Sequence, residues 1–246
     1  MWKRCSRLFV VFGAVLALSA AAGAQETGFE ELDGLLEPSE LVNVSSQVPG
    51  ILDEIPVERG DVVKKNDVLA RLKSGVEQAA VELSRARVEF GKRKAERNEE
   101  LSRKKLISVH EKDEIETEAR LSELELREAV ERLEMRTIYS TIDGVVVERL
   151  RAPGDYVGED SIMTVACIDP LNVEVIVPVE RIGTITRGMN AEVRPESPVG
   201  GVYTARVVIV DRVVDAASGT FGVRLKLPNP SYKLPAGLNC KVRFLK

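Results

Sequence analysis

The chain is poor in the side chains that usually carry chemistry. Its 246 residues include one histidine, three cysteines and only 4% aromatics. His110 falls in a predicted exposed turn, and no Gly-x-Ser-x-Gly pattern occurs, so no nucleophile is placed beside a base, as a hydrolase requires. One histidine and two distant cysteines do not make a metal site. Met135, Met163 and Met189 stand too far apart in sequence to form a thioether cluster for a soft metal. No catalytic, cofactor-binding or metal-ligating residue is therefore expected, and the chain does not read as an enzyme. An acidic balance, formally −4, with so few aromatics argues against nucleic acid as a partner. Long apolar runs are also missing, with one exception. Lys3, Arg4 and Arg7 precede an apolar stretch from Leu8 to Ala22, which ends in Ala22-Gly23-Ala24. That is the layout of a secretory signal peptide over residues 1–24, cleaved after Ala24. The stretch falls short of the roughly 20 residues a membrane span needs; retention as an anchor is the alternative. Cys5 lies ahead of the stretch, where it does not suit lipoprotein acylation. Cleavage removes three positive charges and takes the net charge from −4 to about −7. Cys167 and Cys240 remain, both in strand-like apolar surroundings. One pair in a chain of this size is no disulfide framework, and buried free thiols are the expectation.

What is present is an internal repeat. Gly50 is followed by Gly60-Asp61 and Val63, and Gly144 by Gly154-Asp155 and Val157, an offset of 94 residues. Ile51-Leu52 matches Val145-Val146, and Leu69 matches Met163. Glycine permits positive φ or close backbone approach, and Gly-Asp marks a turn, so the two copies read as equivalent β units. Flanking β-branched runs such as Val145-Val146-Val147 have strand character. The structural turn glycines are then Gly50, Gly60, Gly144 and Gly154.

Between the copies the composition changes. From Ser74 to Arg136 there is no proline, and glycine occurs only at positions 75 and 91. The segment is rich in helix formers. Val76, Ala79, Ala80, Leu83, Ala86 and Phe90 recur at three- and four-residue steps, as do Ile115, Ala119, Leu126, Ala129, Val130 and Leu133. Narrow apolar stripes on charged helices predict a two-stranded antiparallel coiled coil. The break falls at Ile107-Ser108-Val109-His110. Ser74 with Glu77, and Ser108 with Glu111, have the spacing of capping boxes. Arms of this length give a projecting rod of roughly 40–50 Å. From Leu171 onward the pattern is short alternating strands with turns at residues 215–219 and 228–230. It predicts a small β-barrel of five or six strands, with a short helix over residues 178–186 closing one end.

A β unit in two halves, split by a helical hairpin and followed by a β-barrel, resembles the periplasmic adaptor proteins of tripartite efflux pumps, the membrane fusion proteins of the HlyD family. The resemblance rests on Val48-Pro49-Gly50-Ile51 with Val57 to Lys65, on Ile142-Asp143-Gly144-Val145-Val146, and on a closing barrel segment. That segment runs through Thr220 to Arg224, Asn229-Pro230 and Leu234 to Leu238. Asn66 departs from the glycine common there. The implied fold is mainly β with an α-helical hairpin. The expected parts are an N-terminal linker (25–41), the first half of a lipoyl-like, or barrel-sandwich hybrid, domain (42–73), a coiled-coil hairpin (74–136), the second lipoyl-like half (137–169) and a β-barrel (170–246). The membrane-proximal domain that many pump adaptors carry is expected to be absent.

The resemblance also implies a docking site. Relatives that meet TolC-type channels carry Arg, then Leu four, Ser eleven and Asp sixteen positions later; Arg97, Leu101, Ser108 and Asp113 match. Arg97 and Leu101 lie one helical turn apart and share a face. The implied partners are an inner-membrane transporter, of the resistance-nodulation-division (RND) class rather than the ATP-driven (ABC) class, an outer-membrane TolC-type channel, and further copies of the chain, six in the family. The implied location is the periplasm of a Gram-negative bacterium, at the inner-membrane face. The alternative is an adaptor of an ABC-type exporter or of a type I protein secretion system. Lipoyl carrier domains share the β unit but display a modified lysine on a tight turn between its halves. Lys73 lies near that junction, yet the helical insertion takes the place of the turn.

Overall fold

The computed structural model describes residues 31–104 and 106–245; the expected signal peptide lies outside them. In chain order the elements are β1 (Leu32–Ser45), β2 (Gly50–Glu54), β3 (Val62–Val63), β4 (Val68–Leu72), α1 (Gly75–Arg103), α2 (Val109–Glu134), β5 (Thr137–Tyr139), β6 (Gly144–Arg149), β7 (Tyr156–Val157), β8 (Ser161–Pro178), β9 (Asn190–Pro195), β10 (Tyr203–Val210), β11 (Thr220–Leu227) and β12 (Asn239–Phe244).

The repeat folds as two interlocked copies. β2 pairs with β7 through Gly50↔Val157 and Ile51↔Tyr156, and β3 pairs with β6 through Val63↔Gly144 and Val62↔Val145. Each pairing is the other's image under the sequence offset. The turns match as well. Gly60 and Gly154 both have positive φ (95° and 96°), which only glycine adopts without strain. The Asp61 carboxylate accepts from the Glu58 amide, and the Asp155 carboxylate accepts from the Ala152 amide, each at 2.8 Å. One four-stranded sheet, in the order β5-β4-β2-β7, packs on a second sheet made of β3, β6 and the adjoining halves of β8 and β1. Between them lie Leu52, Val63, Leu69, Leu72, Val146, Val157, Ile162, Met163 and Val165. Burial on this scale stabilises the sandwich by roughly 1.5–3 kcal/mol per large apolar side chain.

Residues 32–41, expected to be a linker, are instead the first part of β1. They pair with β12 (Leu32↔Val242) and with β8 (Leu36↔Val173). They thereby close a six-stranded barrel in the order β1-β12-β9-β10-β11-β8. Asp33, Gly34, Glu37, Pro38, Ser39 and Glu40 give this stretch little apolar character, and within it Leu36 alone is fully buried, in the barrel core. Residues 171, 173, 175 and 177 of β8 and 221, 223, 225 and 227 of β11 fill the interior, as period-two alternation demands. The expected helix at 178–186 is a single 3₁₀ turn, Val179–Arg181. Cys240 is buried and Cys167 half-buried; both are free thiols. Burial pushes the Cys240 thiol up to about 11.

Barrel and sandwich meet at residues 168–170, and Asn229 secures the joint. Its amide nitrogen donates to the Ile168 and Leu234 carbonyls (3.0 and 2.9 Å), and its side-chain oxygen accepts from the Leu234 amide (3.1 Å). Its own backbone N–H donates to Asp169 Oδ1 at 2.8 Å. A buried polar side chain with its bonding capacity used is stabilising; removing it orphans its partners. Asn229→Ala should therefore lower unfolding free energy by about 2–4 kcal/mol, measured by urea titration. Gly144→Ala should also destabilise the protein, by about 1–3 kcal/mol. The added methyl would strike the Ala166 carbonyl. Gly75→Ala, with open space around it, should not.

Candidate functional site

The hairpin is the part of the molecule with little to do inside it. α1 has 29 residues and α2 has 26, so the rod is about 40 Å long at 1.5 Å per residue. Its seam on α1 runs through Glu77, Val81, Ser84, Val88, Gly91, Ala95, Asn98 and Ser102, at alternating four- and three-residue steps; with Lys94 beside it, these are the helix's buried and half-buried positions. On α2 the seam is Lys112, Ile115, Ala119, Ser122, Leu126, Ala129 and Leu133. The α2 stripe read from sequence is thus nearly the observed one. The α1 stripe has the right period on the wrong face: Val76, Leu83 and Phe90 are exposed. The reason is close approach. Gly91 lies against the backbone of Ala119, where an added Cβ would sit 3.3 Å from the Ala119 Cα. Small residues draw the helices together and turn the larger ones out.

Ion pairs set the level of one helix against the other: Arg87 with Glu125 (3.1 Å), Lys94 with Glu118 (2.6 Å) and Lys92 with Glu123 (3.3 Å). All are exposed, and each contributes at most about 1 kcal/mol. The base is held differently. Ser74 does not cap α1 with its side chain, and Glu77 does not close a capping box. Glu77 instead accepts from Arg136 Nη2 at 2.6 Å, while Nη1 donates to the Pro49 carbonyl at 2.9 Å. Both side chains are largely sheltered. Arg136, two residues beyond the end of α2, therefore ties the first turn of α1 to the edge of the sandwich. Gly50 leaves room for it: a Cβ there would stand 2.7 Å from Nη1.

At the far end, Ser108 does cap α2, its hydroxyl accepting from the Glu111 amide at 3.1 Å. Arg97, Leu101, Ser108 and Asp113 are all exposed, Leu101 at 37%. Arg97 and Leu101 lie together on α1 away from the seam, Asp113 lies on the outer side of α2, and Ser108 stands between the helices. Arg97 and Asp113 form no ion pair with any described residue. Arg103, by contrast, is held by Glu99, whose carboxyl it keeps below the usual carboxylate range. The tip also presents Leu106 and Val109 to solvent; sequence reasoning read Val109 only as part of the helix break and did not single out Leu106. Their signal was present in the apolar run around Ser108. Among the described residues, no three His, Cys, Asp or Glu side chains cluster as a metal site. No described helix is long and apolar enough to cross a membrane.

A barrel-sandwich hybrid domain interrupted by a helical hairpin and joined to a six-stranded barrel is the architecture of the membrane fusion proteins. Residues 40–167 match the CzcB-like barrel-sandwich hybrid domain, and residues 171–246 match the CusB-like beta-barrel domain. The chain belongs to the membrane fusion protein family. It is similar to nodulation protein NolF of Rhizobium meliloti, 25% identical over 220 residues, which cover 83% of this chain and 60% of NolF. It spans about three fifths of the length of the curated relatives it matches. Among solved structures, a MacA–MexA chimera carrying the Pseudomonas aeruginosa MexA α-hairpin superposes with a TM-score of 0.75 at 21% identity, covering 87% of this chain and 80% of the chimera. The membrane fusion protein Spr0693 of Streptococcus pneumoniae gives 0.69 at 17% identity, covering 89% and 99%. These likenesses establish the shared fold.

Two variants separate the roles of base and tip. Arg136→Ala should destabilise the protein by about 1–3 kcal/mol and speed amide exchange in the first turn of α1. Ser108→Ala should cost about 1 kcal/mol and speed exchange at the Glu111 amide alone. Hydrogen exchange read by mass spectrometry checks both.

Proposed function

We propose that the protein is a periplasmic adaptor subunit of a tripartite efflux system. It bridges an inner-membrane transporter of the RND class to a TolC-type outer-membrane channel and carries out no chemistry itself. The observation that carries this reading is the hairpin. A rod of about 40 Å projects from the sandwich with Arg97, Leu101, Ser108 and Asp113 in solvent around its tip. One cation, one apolar knob, one hydroxyl and one anion are offered there to the helical ends of a partner. An arginine fork suits backbone carbonyl or carboxylate acceptors. The match of residues 171–246 to a CusB-like barrel supports the RND choice. The basic start and apolar stretch of residues 3–22 support export to the periplasm.

In this reading several copies, six by family precedent, surround a central passage. The sandwiches stack, the hairpins point toward the outer membrane, and the barrels face the pump. The pump supplies the energy, and the adaptor seals and transmits.

A photo-crosslinking residue at Ser108 in living cells should capture an outer-membrane channel. Capture of only soluble or inner-membrane proteins by an active probe would sink the docking assignment. Arg97→Asp combined with Ser108→Arg should abolish export while the protein accumulates at its normal level and stays folded. Unchanged export would show that the tip is not the docking site.

A further inference from the structure

A strand at the edge of a sheet exposes a row of unpaired N–H and C=O groups, and proteins close or guard such edges. Among the described residues most edges are dealt with. The barrel is closed and has none. β3 and β7, the outer strands on one side of the sandwich, are two residues long each. On the other side, the outer edge of β1 pairs with β12 and the residues just before it only as far as Leu36. From Glu37 to Ser45 no described strand covers it. Glu37, Pro38 and Glu40, with the register shift between Pro38 and Glu40, guard the first half of that stretch. The second half, Leu41-Val42-Asn43-Val44-Ser45, carries no charge and no proline, and its ladder to β8 is regular from Glu40 to Val44. β5, the facing edge of the other sheet, is the repeat copy of this stretch. The 94-residue offset puts Val44 on Ile138 and Ser46 on Ser140. The Ser46 and Ser140 hydroxyls donate to the carbonyls two residues on, each at 2.6 Å. β5 pairs on one edge only, with β4, and residues 137–141 also lack charge and proline. Between the two open edges lies a groove of about 430 Å³. Its apolar lining is Val42, Val44, Met135, Ile138 and Tyr139, of which Val44 and Ile138 belong to the sandwich core. Met135 and Tyr139 are 39% and 47% exposed, so the core is left uncovered on this side. Lys65 is the one charged residue lining the groove, and it forms no ion pair with any described residue.

We propose that this groove docks an extended segment of another protein, which adds as a strand to the open edge of β1 at residues 41–45. The spacing fits. Packed sheets stand about 10 Å apart and paired strands about 4.8 Å, so one strand between β1 and β5 sits at ladder distance from β1 and closes the open side of the sandwich. β1 supplies the ladder, because β5 is only three residues long; β5 supplies the wall. Side chains of a strand alternate between faces. Every second side chain of the guest therefore points inward onto Val42, Met135 and Ile138 and must be apolar, while the others are unrestricted. Lys65 stands at the Ser140 end of β5, where the Asn66 amide donates to the Ser140 carbonyl at 2.8 Å. It selects a carboxylate at that end of the guest. Main-chain hydrogen bonds then give affinity, and alternation plus one acid give selectivity. A second copy of this chain is the poorer guest, because its β1 brings a whole sandwich with it and the gap is one strand wide. A small apolar molecule would leave the backbone groups of β1 unpaired. The proposal adds a site to the adaptor reading and does not rest on it, since it uses no residue of the hairpin tip.

The test pans a phage library of random dodecapeptides on the immobilised full chain and measures the enriched peptides in solution by fluorescence anisotropy. The expected sequences have apolar residues at alternate positions and an aspartate or glutamate to one side. Their binding should slow hydrogen exchange in residues 41–45 and should be lost when alternate backbone nitrogens of the peptide are methylated. It should fall about three- to tenfold in Lys65→Glu, an exposed position, and recover when the peptide's acid is replaced by lysine. The proposal is overturned if no peptide is enriched, if exchange slows only elsewhere, or if methylated peptides bind as well as the parent. Slowed exchange in residues 41–45 that grows with protein concentration, without peptide, would give the edge to a second copy and overturn it too. None of these outcomes touches the capture of a channel from Ser108, which decides the adaptor reading separately.

Discussion

The antiparallel ribbon of β1 and β8 is the element on which the rest of the structure depends. Both strands are long, 14 and 18 residues, and both pass through sandwich and barrel without a break. At one end the ribbon gives the sandwich two of its strands, with Val44 opposite Met163; at the other it closes the barrel, with Leu36 opposite Val173. Strand side chains alternate between faces, so one ribbon serves two cores only if its register is adjusted between them. The adjustment occurs between Pro38 and Glu40. Three residues of β8, 168–170, stand there opposite Ser39 alone, and the two extra residues bend the ribbon. The Ser39 hydroxyl binds the Cys167 carbonyl beside the shift, and the Asn229 network occupies the same neighbourhood. A continuous backbone ladder resists bending more than a flexible linker does. Force applied at the barrel is therefore carried into the sandwich, and through Arg136 into the hairpin.

The hairpin follows the opposite design. Few of its residues are buried, the ion pairs between its helices are exposed apart from the one at its base, and its seam carries serine, asparagine, glycine and lysine where a stable coiled coil carries leucine. Such a rod holds its shape weakly when alone. Its larger apolar residues, Leu83, Phe90, Leu121 and Leu124, stay exposed, so its own seam leaves apolar surface unburied.

The interlocked repeat explains why a helical insertion of this length is tolerated. β2 pairs with β7 and β3 with β6, so each half of the sandwich is completed by the other. Neither half depends on the connection between β4 and β5 being short. Those two strands pair directly, which keeps the base of the hairpin narrow and lets one arginine secure it.

Local chemistry was legible in the sequence. Glycine spacing marked both copies of the β unit, the proline-free charged stretch marked the helices, Ser108 marked the cap of α2, and Asn229-Pro230 marked a barrel turn. These features depend on residues a few positions apart, and a sequence displays them directly. Arg97, Leu101, Ser108 and Asp113 were singled out by the family resemblance and not by the local pattern. Tertiary structure alone decided which face of α1 would be buried, because the close fit of Gly91 on Ala119 pairs residues of different helices. It decided that residues 32–41 would form a barrel strand, because their partners lie in β8 and β12, far along the chain. It also decided that Glu77 would join Arg136 instead of capping its own helix. In each case the deciding partner is remote in sequence, and nothing in the local pattern records the free energy of meeting it.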